Sequence, residues 1–150
     1  MQEVLEVYRN TVTIFNYHEK TERWYSTVFP AVHLEAAKSA SPSAGAGILK
    51  GDAVEMILPV SKDKSIKVDD MVKQYIRPKE YDAMDDPSGY FTFHPERDFF
   101  AVGNHETEPV DDDDYDEGYY HSMNTSLDEV YMVSSAAFFP LLPHFEVGGR

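Results

Sequence analysis

The chain has 150 residues, of which 42% are hydrophobic and 13% aromatic, and its 27 acidic and 13 basic residues give a formal charge of −14. This composition excludes a disordered protein, argues against tight nucleic-acid binding and is sufficient for one domain with its own core. The absence of cysteine excludes disulfides, thiolate metal sites and cysteine nucleophiles.

The first third of the chain predicts a β-hairpin. Residues 11–17 and 23–29 are rich in β-branched and aromatic side chains, and the polar residues 18–22 between them are typical of a turn. Trp24 is predicted to anchor the core. Pro30 marks a break or bulge, after which the strand continues over residues 31–35.

A long loop is predicted over residues 36–51, which are mostly small side chains. Its serines and glycines do not follow the order of a phosphate-binding loop. We therefore interpret Ser43, Gly45 and Gly47 as candidate assembly-surface residues on a mobile loop. Strand composition returns over residues 52–60.

The middle of the chain leaves one alternative open. Over residues 66–84, Met71, Val72, Tyr75 and Ile76 suit one face of a helix. Pro78 limits such a helix, so a short helix and an irregular crossover are both compatible with the sequence.

Two short apolar runs follow this ambiguous segment. They cover residues 90–94 and 99–103, and the polar residues 95–98 separate them. This pattern predicts a second hairpin.

An acidic excursion is predicted over residues 104–126. Residues 111–117 contain five aspartates and one glutamate, whose mutual repulsion opposes a packed strand. Their order does not fit a calcium loop, so a solvated anionic loop is favoured over a cation site. We take Asp112, Asp114 and Tyr115 as candidate assembly-surface residues.

The last predicted strand, residues 129–139, has two apolar faces and is therefore placed in the centre of the sheet. Two prolines end it, and residues 140–150 are predicted to form a C-terminal tail held against the body of the protein or a partner. The candidate assembly residues in this tail are His144, Phe145, Glu146 and Val147.

These elements predict a mainly β fold: a single small β-barrel or sandwich over residues 1–150, with long loops and at most one or two short helices. Neither an export signal nor a membrane helix is recognisable, so we expect a soluble, unexported protein without membrane contact. The pair His94 and Glu96 lacks the Cys-x-x-Cys partner of a zinc deaminase, and no nucleophile motif is present. We expect no catalytic residues, metal or cofactor.

Four motifs carry a resemblance to a known family: residues 10–16 (NTVTIFN), 24–28 (WYSTV, leading into Val-His-Leu), 128–136 (DEVYMVSSA) and 143–149 (PHFEVGG). In them the chain resembles small proteins encoded in the structural-gene clusters of tailed bacteriophages and prophages, especially those of Gram-positive hosts. That family looks like head–tail joining proteins, including β-barrel stopper and head-closure subunits that form a ring below the portal.

The resemblance implies a non-enzymatic virion protein of the neck or tail region, assembled in the cytoplasm of the bacterial host. Its implied partners are further copies in a ring, portal or adaptor proteins and tail proteins, with DNA passing by without tight binding. Residues 36–51, 104–126 and 143–150 would reach neighbouring subunits, although simple surface disorder explains the two loops equally well.

Other functions remain open. A tail terminator or another tail-associated protein is compatible with the same features. A monomeric ligand-binding barrel would use Trp24, Tyr90 and Phe91 as an exposed platform. A hydrolase would require a pocket with converging carboxylates and histidine.

Overall fold

The computed structural model describes residues 9–36 and 53–150. In this part of the chain the strands are β1 (Asn10–His18), β2 (Arg23–Ala36), β3 (Val54–Pro59), β4 (Ser65–Val68), β5 (Met71–Tyr75), β6 (Tyr90–Phe91), β7 (Phe99–Val102), β8 (Val110–Asp111), β9 (Val130–Phe139) and β10 (His144–Gly149). The helices are α1 (Pro78–Ala83), α2 (Tyr119–Ser126) and one 3-10 turn (Asp112–Asp114).

Six strands form a closed antiparallel barrel in the order β1-β7-β9-β10-β3-β2, and β2 pairs with β1 to close it. The short strand β8 adds to β2 outside the closed ring. Closure leaves few free strand edges, which are the usual sites of aggregation in β proteins. The prediction of a mainly β fold with at most two short helices is confirmed, and the barrel alternative is the right one.

Two hydrophobic clusters lie on opposite sides of the barrel wall. The interior cluster is aliphatic and aromatic and includes Ile14, Phe29 and Phe100. The outer cluster joins Phe15 and Trp24 to α2, which covers them. Adjacent residues of β1 therefore serve different clusters, as strand alternation requires. Trp24 is 5% exposed, which confirms its prediction as a core anchor.

Residues 66–84 contain a short helix, as one of the two alternatives expected, but this helix begins at Pro78 and includes none of the apolar residues on which the helical pattern rested. Strands β4 and β5 make a hairpin, with a turn that places Asp69 at φ 55°. Met71 and Val72 are exposed on β5, so their apolar character did not indicate a buried helical face. Pro78 begins α1 rather than ending a helix, since the first turn does not need its missing N–H.

The predicted hairpin over residues 90–103 is wrong. Strand β6 pairs in parallel with β5 in a separate three-stranded sheet, whereas β7 enters the barrel between β1 and β9. The intervening residues do not form a tight turn between paired strands, because the buried carboxylate of Asp98 ties them to β1 through Tyr17 N (3.0 Å) and the Asn16 side chain (2.8 Å).

The segment 104–126 was predicted to be a solvated loop but contains β8, the 3-10 turn and α2. The hydrogen bonds of Asp112 explain why this segment is ordered. Its Oδ1 accepts hydrogen bonds from Trp24 Nε1 (2.8 Å) and from the Tyr119 backbone N–H (2.9 Å), which ties the acidic run to the outer cluster. The aromatic residues of α2 then supply the buried surface that the aspartates lack.

The predicted tail over residues 140–150 is mostly a strand. β10 lies between β9 and β3, so it completes the barrel. Phe145 and Val147 are 2% and 0% exposed and cannot form an assembly surface, because their side chains belong to the interior cluster. The central position predicted for β9 is confirmed by its pairing with β7 and β10.

Candidate functional site: the tip of the last hairpin

The turn between β9 and β10 exposes apolar side chains. Leu141 and Leu142 are 87% and 83% exposed, and Phe139 before them is 42% exposed. We call residues 139–144 the hairpin tip. Single exposed leucines are common on protein surfaces, but adjacent ones on a projecting turn form a contiguous patch of the kind used in protein contacts.

Backbone pairing fixes the position of the hairpin tip. Phe139 and His144 are paired across the hairpin, and His144 also faces Pro59 of β3. The Val60 N–H donates to the Pro143 carbonyl at 3.2 Å. The tip is therefore anchored on both sides and presents its leucines in a defined place, which lowers the entropy lost on binding.

His144 connects the tip to the strand below it. Its ring stacks on Phe139 with centroids 5.1 Å apart and an angle of 11° between the planes. Nδ1 lies 2.8 Å from the Leu142 carbonyl, and Nε2 lies 2.9 Å from Glu146 Oε2. Both partners only accept, so both bonds form together when the imidazole carries two protons.

The environment of His144 favours its charged form. The bond to the Leu142 carbonyl, followed by the bond to Glu146, raises the pKa of His144 above its ordinary value of 6.5. The protonated ring holds Leu142, whose φ of 52° is uncommon for a bulky residue. Protonation therefore stabilises the shape of the tip.

The candidate residues of the C-terminal segment separate into two groups. His144 and Glu146 are brought together beside the tip, whereas Phe145 and Val147 face the core. Sequence reasoning missed Leu141 and Leu142, which form the main exposed surface here. The signal was available: an apolar pair flanked by prolines between two strands leaves no strand face on which the pair can be buried.

The acidic candidates form a different surface. Asp111 pairs with Arg23 at 2.8 Å next to the outer cluster, and Asp112 is used by the bonds that order this segment. Asp114 is exposed, and Tyr115 is 36% exposed with its ring 5.1 Å from that of Tyr119. Within residues 9–36 and 53–150, no three carboxylate or histidine side chains are grouped so that they could hold a metal ion.

The candidates Ser43, Gly45 and Gly47, on the predicted loop 36–51, lie outside the described residues. The predicted aromatic platform is not formed: Tyr90 is partly exposed, whereas Trp24 is 5% and Phe91 0% exposed. Both of these buried side chains belong to the hydrophobic clusters. No helix within the described ranges has the length and hydropathy needed to cross a membrane.

A cleft of about 340 Å³ lies between β2, the β4–β5 hairpin and residues 106–109. Lys73 Nζ donates to the Ser26 carbonyl and to Thr27 Oγ1, both at 3.0 Å. Burial lowers the pKa of Lys73, and the nearby Glu106 opposes this. The lysine satisfies a strand-edge carbonyl of β2, which is a structural role.

Comparison with known proteins gives a family match. No curated protein and no solved structure matched the chain. Residues 7–150 match a family described as "Family of unknown function (DUF6751)", and this match covers the barrel, both small helices and the hairpin tip. The chain therefore belongs to the DUF6751 family of unknown function.

Proposed function

We propose that this protein is a non-enzymatic structural subunit of tailed-bacteriophage or prophage particles and acts in the head–tail connector as a neck, head-completion or stopper protein. The observation that carries the proposal is the hairpin tip, an anchored apolar projection on a closed barrel. Such a projection serves contact with another protein rather than chemistry.

The four motifs of the phage resemblance support the proposal. They lie mainly on β1, β2, β9 and β10, which are four of the six barrel strands. The acidic surface adds support, because 111–150 contains nine acidic residues and one basic residue. A surface of this charge near passing DNA would repel the phosphates and avoid tight binding.

The proposed partners are other copies of the chain in a ring, portal or adaptor proteins and tail proteins. A tail terminator or another tail-associated protein would use the same features. The site of action would be the virion, with assembly in the cytoplasm of the bacterial host.

The test is isolation of the tagged chain from induced lysogens or infected cells, followed by identification of the proteins that accompany it. The proposal expects portal or tail proteins in stoichiometric amounts. Isolation without any virion protein, from a gene outside a virion cluster, would contradict it. A matched sample carrying Leu141→Asp and Leu142→Asp tests whether the association depends on the tip.

A monomeric ligand-binding barrel is the second candidate, and the cleft above Lys73 is the observation that favours it. Its lining includes Tyr25, Ser88 and Thr107, which offer hydroxyl groups to a small polar ligand. This function would require a monomer whose Ser88→Ala variant, altered in the lining of the cleft, loses ligand binding. The connector proposal expects normal particle assembly of that variant if it remains folded.

A further inference from the structure

The backbone of the hairpin tip is strained at Leu142. Its φ of 52° lies in the left-handed region, which bulky residues rarely adopt. Pro143 adds to the strain, because the ring of a proline favours extended conformations with negative φ in the residue before it. Such a conformation persists only where surrounding contacts hold it. The contacts of Leu142 therefore control the shape of the tip.

Hydrogen bonds from two sides hold this backbone. The Pro143 carbonyl accepts from the Val60 N–H at 3.2 Å, and the Leu142 carbonyl lies 2.8 Å from Nδ1 of His144. The first bond joins two main-chain groups and does not depend on pH. The second involves a titratable ring. His144 is therefore the contact through which a change in pH reaches Leu142.

The number of protons on His144 decides whether its ring and the Leu142 carbonyl attract each other. In the charged ring both nitrogens carry a proton, so His144 donates to Leu142 and to Glu146 together. The neutral ring has one proton for these two acceptors. The ionised Glu146 carboxylate is the stronger acceptor and keeps that proton on Nε2. Nδ1 then turns a lone pair towards the Leu142 carbonyl, and the attraction becomes a repulsion.

The surroundings of His144 favour its protonated form. The Leu142 carbonyl, followed by Glu146 on β10, raises the pKa of His144 above 6.5, so the ring loses its proton only at higher pH. Lys64 Nζ, from the turn between β3 and β4, lies 4.8 Å from the centroid of the Phe138 ring on β9. The residues next to His144 on β9 and β3 do not titrate: Phe139 and Pro59.

We propose that His144 is a proton switch for the hairpin tip: the charged ring locks Leu142 at positive φ, and the neutral ring releases it to the extended conformation. The release turns the exposed side chain of Leu142 away from its place beside Leu141. Because the locked tip is preorganised, it loses less entropy on binding, and contacts through the tip are stronger at low pH. This inference rests on the proposed structural function and names the condition that regulates its contact surface.

Nuclear magnetic resonance on the full chain tests the switch itself. The nuclear Overhauser effect between the amide and α protons of Leu142 is strong at positive φ and weak at negative φ. We expect it to be strong at pH 5.5 and to lose most of its intensity by pH 8.5, in step with the titration of the His144 ring. An effect that stays strong while the ring loses its proton would overturn the proposal.

Two variants separate the switch from the direct influence of the titrating ring on nearby signals. His144→Gln takes up no proton, so its Leu142 signal should be the same at both pH values. Leu142→Gly adopts positive φ without strain, so its tip should keep one shape while His144 still titrates. Equal shifts of the Leu141 amide signal with pH in wild type and Leu142→Gly would show that the tip does not change shape.

A binding series separates this inference from the function on which it rests. The purified chain is added between pH 5.5 and 8.5 to particles from a lysogen that lacks its gene. We expect binding of wild type to weaken about two- to tenfold over this range and binding of His144→Gln to stay constant. Equal binding of wild type at both pH values would overturn the regulatory role. Absence of binding at every pH would contradict the structural function, whereas the resonance experiment still decides the switch.

Discussion

The two ends of the β9–β10 hairpin have the same antiparallel pairing but opposite surroundings. At the inner end, Tyr131, Val133 and Gly149 are buried, and Gly149 packs directly against Phe100. At the outer end, Leu141 and Leu142 are exposed. Pairing therefore fixes the position of both ends, whereas burial stabilises only the inner one. The outer end uses the rigidity of the barrel to present an apolar surface.

Removal of residues 143–150 breaks both ends together and has the largest expected effect. It deletes β10 and leaves β9 and β3 with unpaired edges facing an opened core. We expect loss of the cooperative thermal unfolding transition, measured by circular dichroism. A truncated chain that unfolds at the temperature of the full chain would refute a structural role for β10.

Asp98→Ala acts on the inner end alone. The Asp98 carbonyl receives the Val133 N–H at 2.9 Å, which attaches its segment to β9, and its carboxylate accepts from Arg97 Nε at 3.2 Å. Burial raises the pKa of Asp98, and the Arg97 guanidinium opposes that shift. Removing the carboxylate leaves a half-buried guanidinium with one partner fewer.

We expect Asp98→Ala to lower the free energy of unfolding by about 3–5 kcal/mol. Urea denaturation measures this loss, and Asp114→Ala, which removes an exposed carboxylate, is the control. Equal stability of the two variants would show that the inner end does not depend on the Asp98 contacts.

Gly149→Ala tests how tightly the inner end is packed. A Cβ at this position would lie 2.7 Å from Phe100 Cζ and 2.9 Å from Tyr131 Cβ, so the core must shift. We expect a loss of about 1–3 kcal/mol in unfolding free energy. Gly89→Ala, with nothing within 4 Å of the added carbon, should be nearly neutral, and a similar loss in both variants would contradict the packing argument.

A pH series on His144 tests the outer end, with the smallest expected effect. Because its folded-state pKa is raised, the stabilisation is complete below the ordinary value of 6.5 and is lost as pH rises through the folded-state pKa. Wild type should exceed His144→Gln by about 0.5–1.5 kcal/mol at pH 5.5 and by less at pH 8.5. A difference that grows with pH would contradict the bonding of the doubly protonated ring.

The sequence was sufficient for the strands whose pattern is dictated by burial. The hairpin of β1 and β2 and the central place of β9 followed from alternation and apolar content. The sequence did not predict which side chains of β9 face the core. An extra residue, Ser134, shifts the register of β9 against β10 between Gly148 and Gly149. Beyond this bulge the side chains change face, so Phe138 rather than Phe139 packs on Phe145.

The remaining errors have long-range causes. The short spacing between β6 and β7 is typical of a hairpin. However, β6 pairs with β5 and β7 pairs with β9, and local spacing does not reveal these partners. The acidic segment was predicted to be solvated because the contacts that order it are long-range: the bond from Trp24 to Asp112, for example, spans 88 positions. Sequence analysis identified His144 and Glu146 of the candidate surface. It could not identify the exposed leucines without the knowledge that the predicted tail is a strand.

The double variant Leu141→Asp, Leu142→Asp distinguishes the proposed role of the hairpin tip in assembly from a role in stability. Its free energy of unfolding and its incorporation into particles are measured together with those of Met71→Asp, Val72→Asp, an exposed apolar pair on β5. We predict that the tip variant keeps its stability within about 0.5 kcal/mol of wild type and is lost from particles. Normal incorporation of a folded tip variant would show that the hairpin tip does not serve assembly.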